Sequence, residues 1–435
     1  MTQLISPRWI APVEPADTLL DHHSLVIDGS RIRAILPTAA ARLQYPDAAE
    51  TLLPQHLLIP GFVNAHTHSA MTLMRGLADD TSLMTWLSEH IWPAESKYLS
   101  AEYVFDGTEL AIAEMLRSGT TCFADMYFYH HVAARAAARY GMRAALGAAI
   151  IEFPTPYAAD AEGYIARALE TRSDFASDSR LKLMLGPHAP YTVSDRTFLR
   201  VATIAEEAGF PVMLHVHETR DELAQGEKEH GVRPIARLDR LGMLTPNLIA
   251  VHCVHLNALE IELFARSGVH VVHCPASNLK LASGFAPVRA MLQAGVNVAI
   301  GTDGCASNNR LDMISETRLT ALLQKGLSED AAALPAHQIL AMATLHGAKA
   351  IGWDQQIGSL LPGKCADMAA VDLSAIETQP CYDPVSHLFH AAGRENISHV
   401  WVDGELLLDN RVLTRMDPVE LQAKSLLWQN RFAKY

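Results

Sequence analysis

From residue 57 onward the chain repeats one arrangement: a short apolar run, a longer stretch with apolar residues at helical spacing, then another short run. The runs are LLIPGFVNAH (57–66), TTCFADMY (120–127), RAALGAAI (143–150), LKLMLGPH (181–188), PVMLHVH (211–217), NLIAVHC (247–253), VHVVHC (269–274) and NVAIGTD (297–303). Runs this short and this continuously apolar predict parallel strands covered on both faces, since a strand with one wet face would alternate. Between them, SAEYVFDGTELAIAEMLRSG (100–119) has helical spacing and a Gly stop, and SDRTFLRVATIAEEAG (194–209) offers Ser194 as an N-cap. Eight strand–helix units in series predict an α/β fold, a (β/α)8 TIM-like barrel. The rival doubly wound sheet usually carries a Gly-rich phosphate turn after an early strand, and the sequence shows none.

The flanks follow a different rule. Residues 24–36 alternate around a D-G turn, ISHVWVDGELLLDN (397–410) repeats that hairpin pattern, and LPGKCADMAAVDL (361–373) adds a strand-like piece. These segments predict a small β-sandwich formed from both termini. Its first part spans residues 1–56, the barrel 57–354, and its second part 355–435 with a final helix at 417–433. No repeat of 20–50 residues interrupts this plan.

Composition narrows the class. Apolar residues make up 49% and charged residues 19%, the balance of a globular chain, and the net charge of −13 argues against a nucleic-acid surface. No uninterrupted apolar stretch has the length of a membrane span, and MTQLISPRWIAPVEP lacks the basic start and apolar run of a signal peptide. Cys122, Cys253, Cys274, Cys305, Cys365 and Cys381 are scattered without a CxxC pair, several inside apolar runs. They read as free thiols in a reducing compartment, so cytoplasm is the expected location.

In a barrel of this kind the chemistry sits at the carboxyl ends of the strands. His66 and His68 close the first run, His188 the fourth, His215 and His217 the fifth, and His252 the sixth; His273 ends the seventh, Asp303 the eighth, and Asp125 lies near the end of the second. With 21 His in the chain, an HxH pair alone is expected about once by chance. The placement of candidate ligands on several strand ends is the informative fact. Residues two apart on a strand share a face, so His66 and His68 can share one ion. With His215 and Asp303 they form a nitrogen-rich set suited to zinc or iron, with a position left for water. Taken singly, a strand-end His is more often a hydrogen-bonded packing residue, and Asp303 in GTDG could be a turn residue.

Glu218 follows in HVHET, where a carboxylate could shuttle protons, although ETRDEL also reads as ordinary charge at a helix N-terminus. His252 could orient hydroxide or stabilise developing charge. His255 in the same HCVH could replace it, but His252 lies within the strand and is preferred. His217 and His273 read as packing residues or as residues that support the ligands from behind.

PGFVNAHTHSAMTLMRGLADD, HVHET, HCVHLN, HCPASNLKLASG and GTDGCASNN, in this order, resemble the amidohydrolase superfamily over nearly the whole chain, GKCADMAAVDL included. The likeness is greatest to its 5-methylthioadenosine/S-adenosylhomocysteine deaminases, which carry a stretch similar to TWLSEHIWPAESKYLS (85–100) after the HxH loop. The resemblance implies His66, His68, His215 and Asp303 as ligands of one zinc ion per subunit, with iron or manganese as alternatives. It also implies Glu218, His252 and Asp303 as catalytic groups, and Glu95, His188, Glu218, Asp303 and Trp86 as contacts to a nucleoside substrate, Glu95 on the ribose hydroxyls. The implied reaction is hydrolytic deamination of 5-methylthioadenosine, S-adenosylhomocysteine or both. Guanine, another aminated heterocycle or a chlorinated triazine is the alternative substrate, and a non-catalytic scaffold the alternative class. An Arg suits the homocysteine carboxylate, but the sequence assigns none, and it leaves a homo-oligomer open.

Overall fold

A computed structural model describes residues 2–176 and 178–433 of the chain. Each of the eight apolar runs supplies one strand of a single sheet: β1 (Phe62–Thr67), β2 (Thr120–Tyr127), β3 (Arg143–Ile150), β4 (Leu181–Pro187), β5 (Val212–Val216), β6 (Leu248–His252), β7 (His270–His273) and β8 (Asn297–Ile300). Neighbours in sequence are neighbours in the sheet, and all pairs are parallel. Every residue of β1, β2 and β3 is buried, which is why these strands read as unbroken apolar runs rather than alternating ones.

The chain nearly closes the barrel between β8 and β1. Asp303 N–H donates to the His66 carbonyl at 3.0 Å. The Asn64 side chain accepts from Thr302 N–H at 2.9 Å and donates to Thr302 Oγ1 at 2.7 Å. A Cβ at Gly301 would fall 2.8 Å from the His66 nitrogen, so glycine lets the first and last strand exits touch. That seam is where two candidate ligands meet.

The helices follow the caps read from the sequence. Ser194 Oγ accepts from Thr197 N–H at the start of helix Asp195–Ala208, which ends at Gly209 with φ 68°. Helix Ala101–Arg117 begins behind Ser100 in the same way.

The run at 57–66 is divided. Its first residues belong to strand Ala49–Pro60 of the terminal sheet, and β1 starts only at Phe62. Gly61 is the crossing point: a Cβ there would lie 2.0 Å from the Thr121 side chain, and its N–H donates to the Asp367 carbonyl at 3.1 Å. Hydropathy cannot mark such a break, because both halves are buried.

The termini build a separate nine-stranded mixed sheet. Ala49–Pro60 pairs in parallel with Thr2–Ile10 on one side and antiparallel with Met368–Asp372 on the other, so both ends of the chain share one sheet. The two D-G signals make hairpins, His23–Asp28 with Arg31–Pro37 and Ile397–Val402 with Glu405–Asp409. Asp403 and Gly404 hold successive positive φ of 49° and 75°, the backbone a tight two-residue hairpin demands. The last helix, Pro418–Phe432, buries Trp428 against Tyr103, with ring centroids 5.3 Å apart. All six cysteines are free thiols, five of them buried. Among the described residues no helix is long and apolar enough to cross a membrane.

Candidate active site

The strand exits bring the predicted ligands together. His66 Nε2 lies 3.1 Å from His215 Nε2 and 3.4 Å from Asp303 Oδ1, and His68 Nε2 lies 3.3 Å from the same carboxylate oxygen. A tetrahedral ion with bonds of about 2.1 Å separates its ligands by roughly 3.4 Å, so the spacing suits a single zinc-sized ion. His252 enters the same centre: His66, His215 and His252 form one group able to hold an ion, and His66, His68 and Asp303 another, sharing His66.

The ring orientations fit the same use. His68 Nδ1 lies 2.6 Å from the Met126 carbonyl, and His215 Nδ1 lies 2.7 Å from the His188 carbonyl. A carbonyl can only accept, so these Nδ1 atoms carry the protons and each Nε2 lone pair faces the cluster. Burial drives the His66 ring down to about 4 and the His215 ring well below its ordinary range, which keeps both neutral and able to bind a cation. Burial alone would raise the Asp303 carboxyl, yet the His66, His68 and His252 rings beside it hold it well below the usual carboxylate range. Ser277 and Ser307 hydroxyls donate to its Oδ2 at 2.6 and 2.9 Å, and Gly304 N–H to its Oδ1 at 2.7 Å.

The backbone at these exits is strained. His217, His252 and Asp303 have φ of 54°, 72° and 60°, left-handed values for residues other than glycine. Each costs on the order of 1–2 kcal/mol, and such residues concentrate where geometry serves a site.

A cavity of about 400 Å³ opens over the cluster, and its lining includes His68, Glu95, His188, Glu218, His252 and Asp303. Trp86 lines it too, buried in a single π-helical turn, Trp86–Ile91, with no hydrogen-bond partner for its indole N–H among the described residues. Glu218 Oε2 stands 3.7 Å from His252 Nε2, and burial raises its carboxyl above the ordinary range, only partly offset by His252. Glu95 is pushed up to about 7 by burial against a 2.6 Å hydrogen bond from the Tyr127 hydroxyl. Read locally it passes for a solvated helix residue; the structure buries it. His188 stands one residue beyond β4, its Nδ1 3.0 Å from Thr192 Oγ1.

The choice between the two histidines of HCVH follows the strand. His252 faces the cluster, with Nδ1 2.9 Å from Asn278 Oδ1, whereas His255 Nε2 turns away to the Ser283 carbonyl at 2.8 Å. His217 and His273 line neither the cavity nor the cluster.

Several supporting residues escaped sequence reasoning. Glu222 accepts from the backbone N–H of His217 and of Glu218 at 2.8 and 2.9 Å, clamping the turn that carries Glu218. Its signal was present as a helix first-turn carboxylate, which ordinarily means only dipole compensation. Asp125, noticed as a strand-end residue, braces the HxH loop by accepting from Thr67 Oγ1, Ser69 N–H and Ser69 Oγ at 2.8, 2.6 and 3.0 Å.

A parallel barrel with a His-rich candidate metal site and a buried carboxylate at its strand exits is a hydrolase architecture. The amidohydrolase family model matches residues 57–407. A 5-methylthioadenosine/S-adenosylhomocysteine deaminase of Teredinibacter turnerae is 48% identical over 427 residues, covering 98% of this chain and 97% of its own. Among solved structures, an adenosine deaminase from Xanthomonas campestris with bound zinc superposes with a TM-score of 0.98 at 48% identity, covering 100% of this chain and 99% of that one. An atrazine chlorohydrolase from Arthrobacter aurescens complexed with zinc shares the fold, with a TM-score of 0.91 at 21% identity over 98% of this chain and 99% of its own. The chain belongs to the amidohydrolase family and, within it, to the 5-methylthioadenosine/S-adenosylhomocysteine deaminase family.

Proposed function

We propose that the chain hydrolyses the exocyclic C–N bond of adenine nucleosides, 5-methylthioadenosine and S-adenosylhomocysteine among them, giving the inosine counterpart and ammonia. What supports this is one cavity that holds the His/Asp cluster, a Glu218 whose carboxyl burial raises above its ordinary range and a buried Glu95 together, in a chain 48% identical along its length to a protein of that name. His66, His68, His215 and Asp303 would hold a zinc ion, which when bound lowers the pKa of water so that hydroxide is available near neutral pH. Asp303 accepts the proton that the water loses. As oxygen adds to C6 of the purine, Glu218 delivers a proton to N1, so the ring does not carry the added electron pair as bare charge. His252 faces the adding oxygen and stabilises its charge. Asp303 then passes its proton to the exocyclic nitrogen, the C6–N bond breaks and ammonia leaves, while the proton of the new C6 hydroxyl returns to Glu218 and leaves the C6 carbonyl. Glu95 receives the ribose diol, for which a carboxylate is a matched double acceptor, and Trp86 and His188 contact the nucleoside.

A continuous ultraviolet assay of adenine-to-hypoxanthine conversion tests this with the zinc-loaded protein. Nucleosides are expected to turn over fast and free adenine and guanine slowly. Glu95→Ala should lower kcat/KM for nucleosides by about 10- to 100-fold, the loss of hydrogen bonds to a charged group, while leaving the slow rate on adenine unchanged. Equal loss on base and nucleoside would remove Glu95 from the ribose.

A further inference from the structure

Among the described residues, no cationic side chain other than histidine lines the cavity that receives the nucleoside, and this bears on what the 5′ carbon of the substrate carries. Neither an Arg nor a Lys is among its lining residues. Arg220, two residues after Glu218, is exposed and does not line the cavity, and three other cations on the neighbouring loops and helices are committed elsewhere. Lys280 bonds Asp79, Asn309 and the Ala306 carbonyl; Arg237 bonds Asp195 and the Pro190 and Val193 carbonyls; Arg233 bonds Glu260 and the His255 carbonyl. Lys97, next to the lining residue Ser96, lines a separate surface groove with Tyr98, Leu427 and Arg431.

The rim is apolar instead. The His/Asp cluster lies at the floor; the lining residues with exposed surface are Trp92, Ser96, Phe153, Pro154, Thr155 and Tyr191, with His68 and His188 partly exposed beside the cluster. Trp92 and Phe153 meet edge to face with ring centroids 5.4 Å apart, bridging the 82–98 segment to the loop after β3. The Thr155 hydroxyl is already engaged, accepting from Tyr157 N–H and the Tyr164 hydroxyl. With C6 at the floor and the ribose at Glu95, the 5′ substituent points toward this aromatic rim.

We infer that the rim selects adenine nucleosides whose 5′ substituent is uncharged and apolar, and disfavours those ending in an amino-acid zwitterion. The inference rests on the proposed deaminase reading and refines its substrate. A methylthio group gains apolar contact against Trp92 and Phe153. A homocysteine tail must bring a carboxylate and an ammonium past the same surface, where no Arg or Lys stands to receive the carboxylate and part of its hydration is lost.

Steady-state kcat/KM on the zinc-loaded protein decides the matter with four nucleosides: 5′-methylthioadenosine, 5′-butylthioadenosine, S-adenosylhomocysteine and adenosine. The butylthio compound has a tail similar in length to homocysteine without the charges, which separates charge from size. The methylthio and butylthio compounds are expected within a few-fold of each other and about 10- to 100-fold above S-adenosylhomocysteine, with adenosine below the methylthio compound. S-adenosylhomocysteine matching or exceeding the thioethers would overturn the inference and leave the deaminase reading intact. Equally poor turnover of butylthioadenosine and S-adenosylhomocysteine would also overturn it, because length alone would then discriminate. Failure of all four nucleosides would sink the deaminase reading itself, and this inference with it.

Discussion

Glu218→Gln is expected to cut kcat by about 10³-fold while the protein keeps its metal and its fold. The substitution is close to isosteric, and the Glu218 contacts that hold the turn are made by its backbone, whose N–H donates to Glu222 rather than by the side chain. None of the four predicted ligands loses an atom. What disappears is a buried group able to carry a proton, whose carboxyl burial raises above its ordinary range, the direction that favours a general acid. The measurement is kcat normalised to bound metal, beside a thermal melt of the same preparation. Near-normal turnover would remove Glu218 from the proton path. Loss of metal in step with activity would instead make it a structural neighbour of the cluster.

The residues of that centre were legible in the sequence for a definite physical reason. Parallel strands buried on both faces cannot alternate, so they stand out as apolar runs, and the fold places function at their carboxyl ends. His66, His68, His215, His252 and Asp303 could therefore be picked out by position before any geometry was known. Glu95 could not. Its burial depends on the segment around Trp86–Ile91 folding over the barrel mouth, and nothing in the local pattern of WPAESK distinguishes a covered carboxylate from a wet one. Only resemblance pointed to it. Glu222 hides for a different reason: it acts by accepting from backbone N–H groups, and backbone leaves no trace in residue identity; Asp125 was visible by position, but its hold on Thr67 and Ser69 was not. The division of the run at 57–66 hides in the same way, since Gly61 marks a close approach to Thr121, a partner outside its own segment.

Arg143 is the extreme case of a residue whose role is set by distant partners, and its replacement carries the largest expected cost to stability. In RAALGAAI it opens an apolar strand, and the chain gives no sign of what it meets. In the structure it is fully buried at the start of β3, donating through Nε to Asp367 at 2.8 Å and through a terminal nitrogen to Asp403 at 2.6 Å. Both carboxylates belong to the sheet built from the termini, so this triad ties barrel to sheet across 224 and 260 residues of sequence. Cys365, Asp367 and Asp403 are close enough together to hold a cation, and the guanidinium is the cation that fills the place. Arg143→Met removes it and leaves Asp367 charged, buried and without its partner, which costs about 3–5 kcal/mol. At about 2.1 cal/mol/K of unfolding entropy per residue, a chain of 435 residues turns that into a fall of roughly 3–5 °C in Tm. Adding Asp367→Asn to Arg143→Met should recover part of the loss, because the stranded charge goes with it. A Tm for Arg143→Met within 1 °C of the parent, on the ~1 kcal/mol scale of a surface pair, would mean that the triad is far better solvated than its burial implies. Apolar packing and the remaining cross-links, such as Arg394 to Glu114 at 3.1 Å, would then hold the sheet to the barrel.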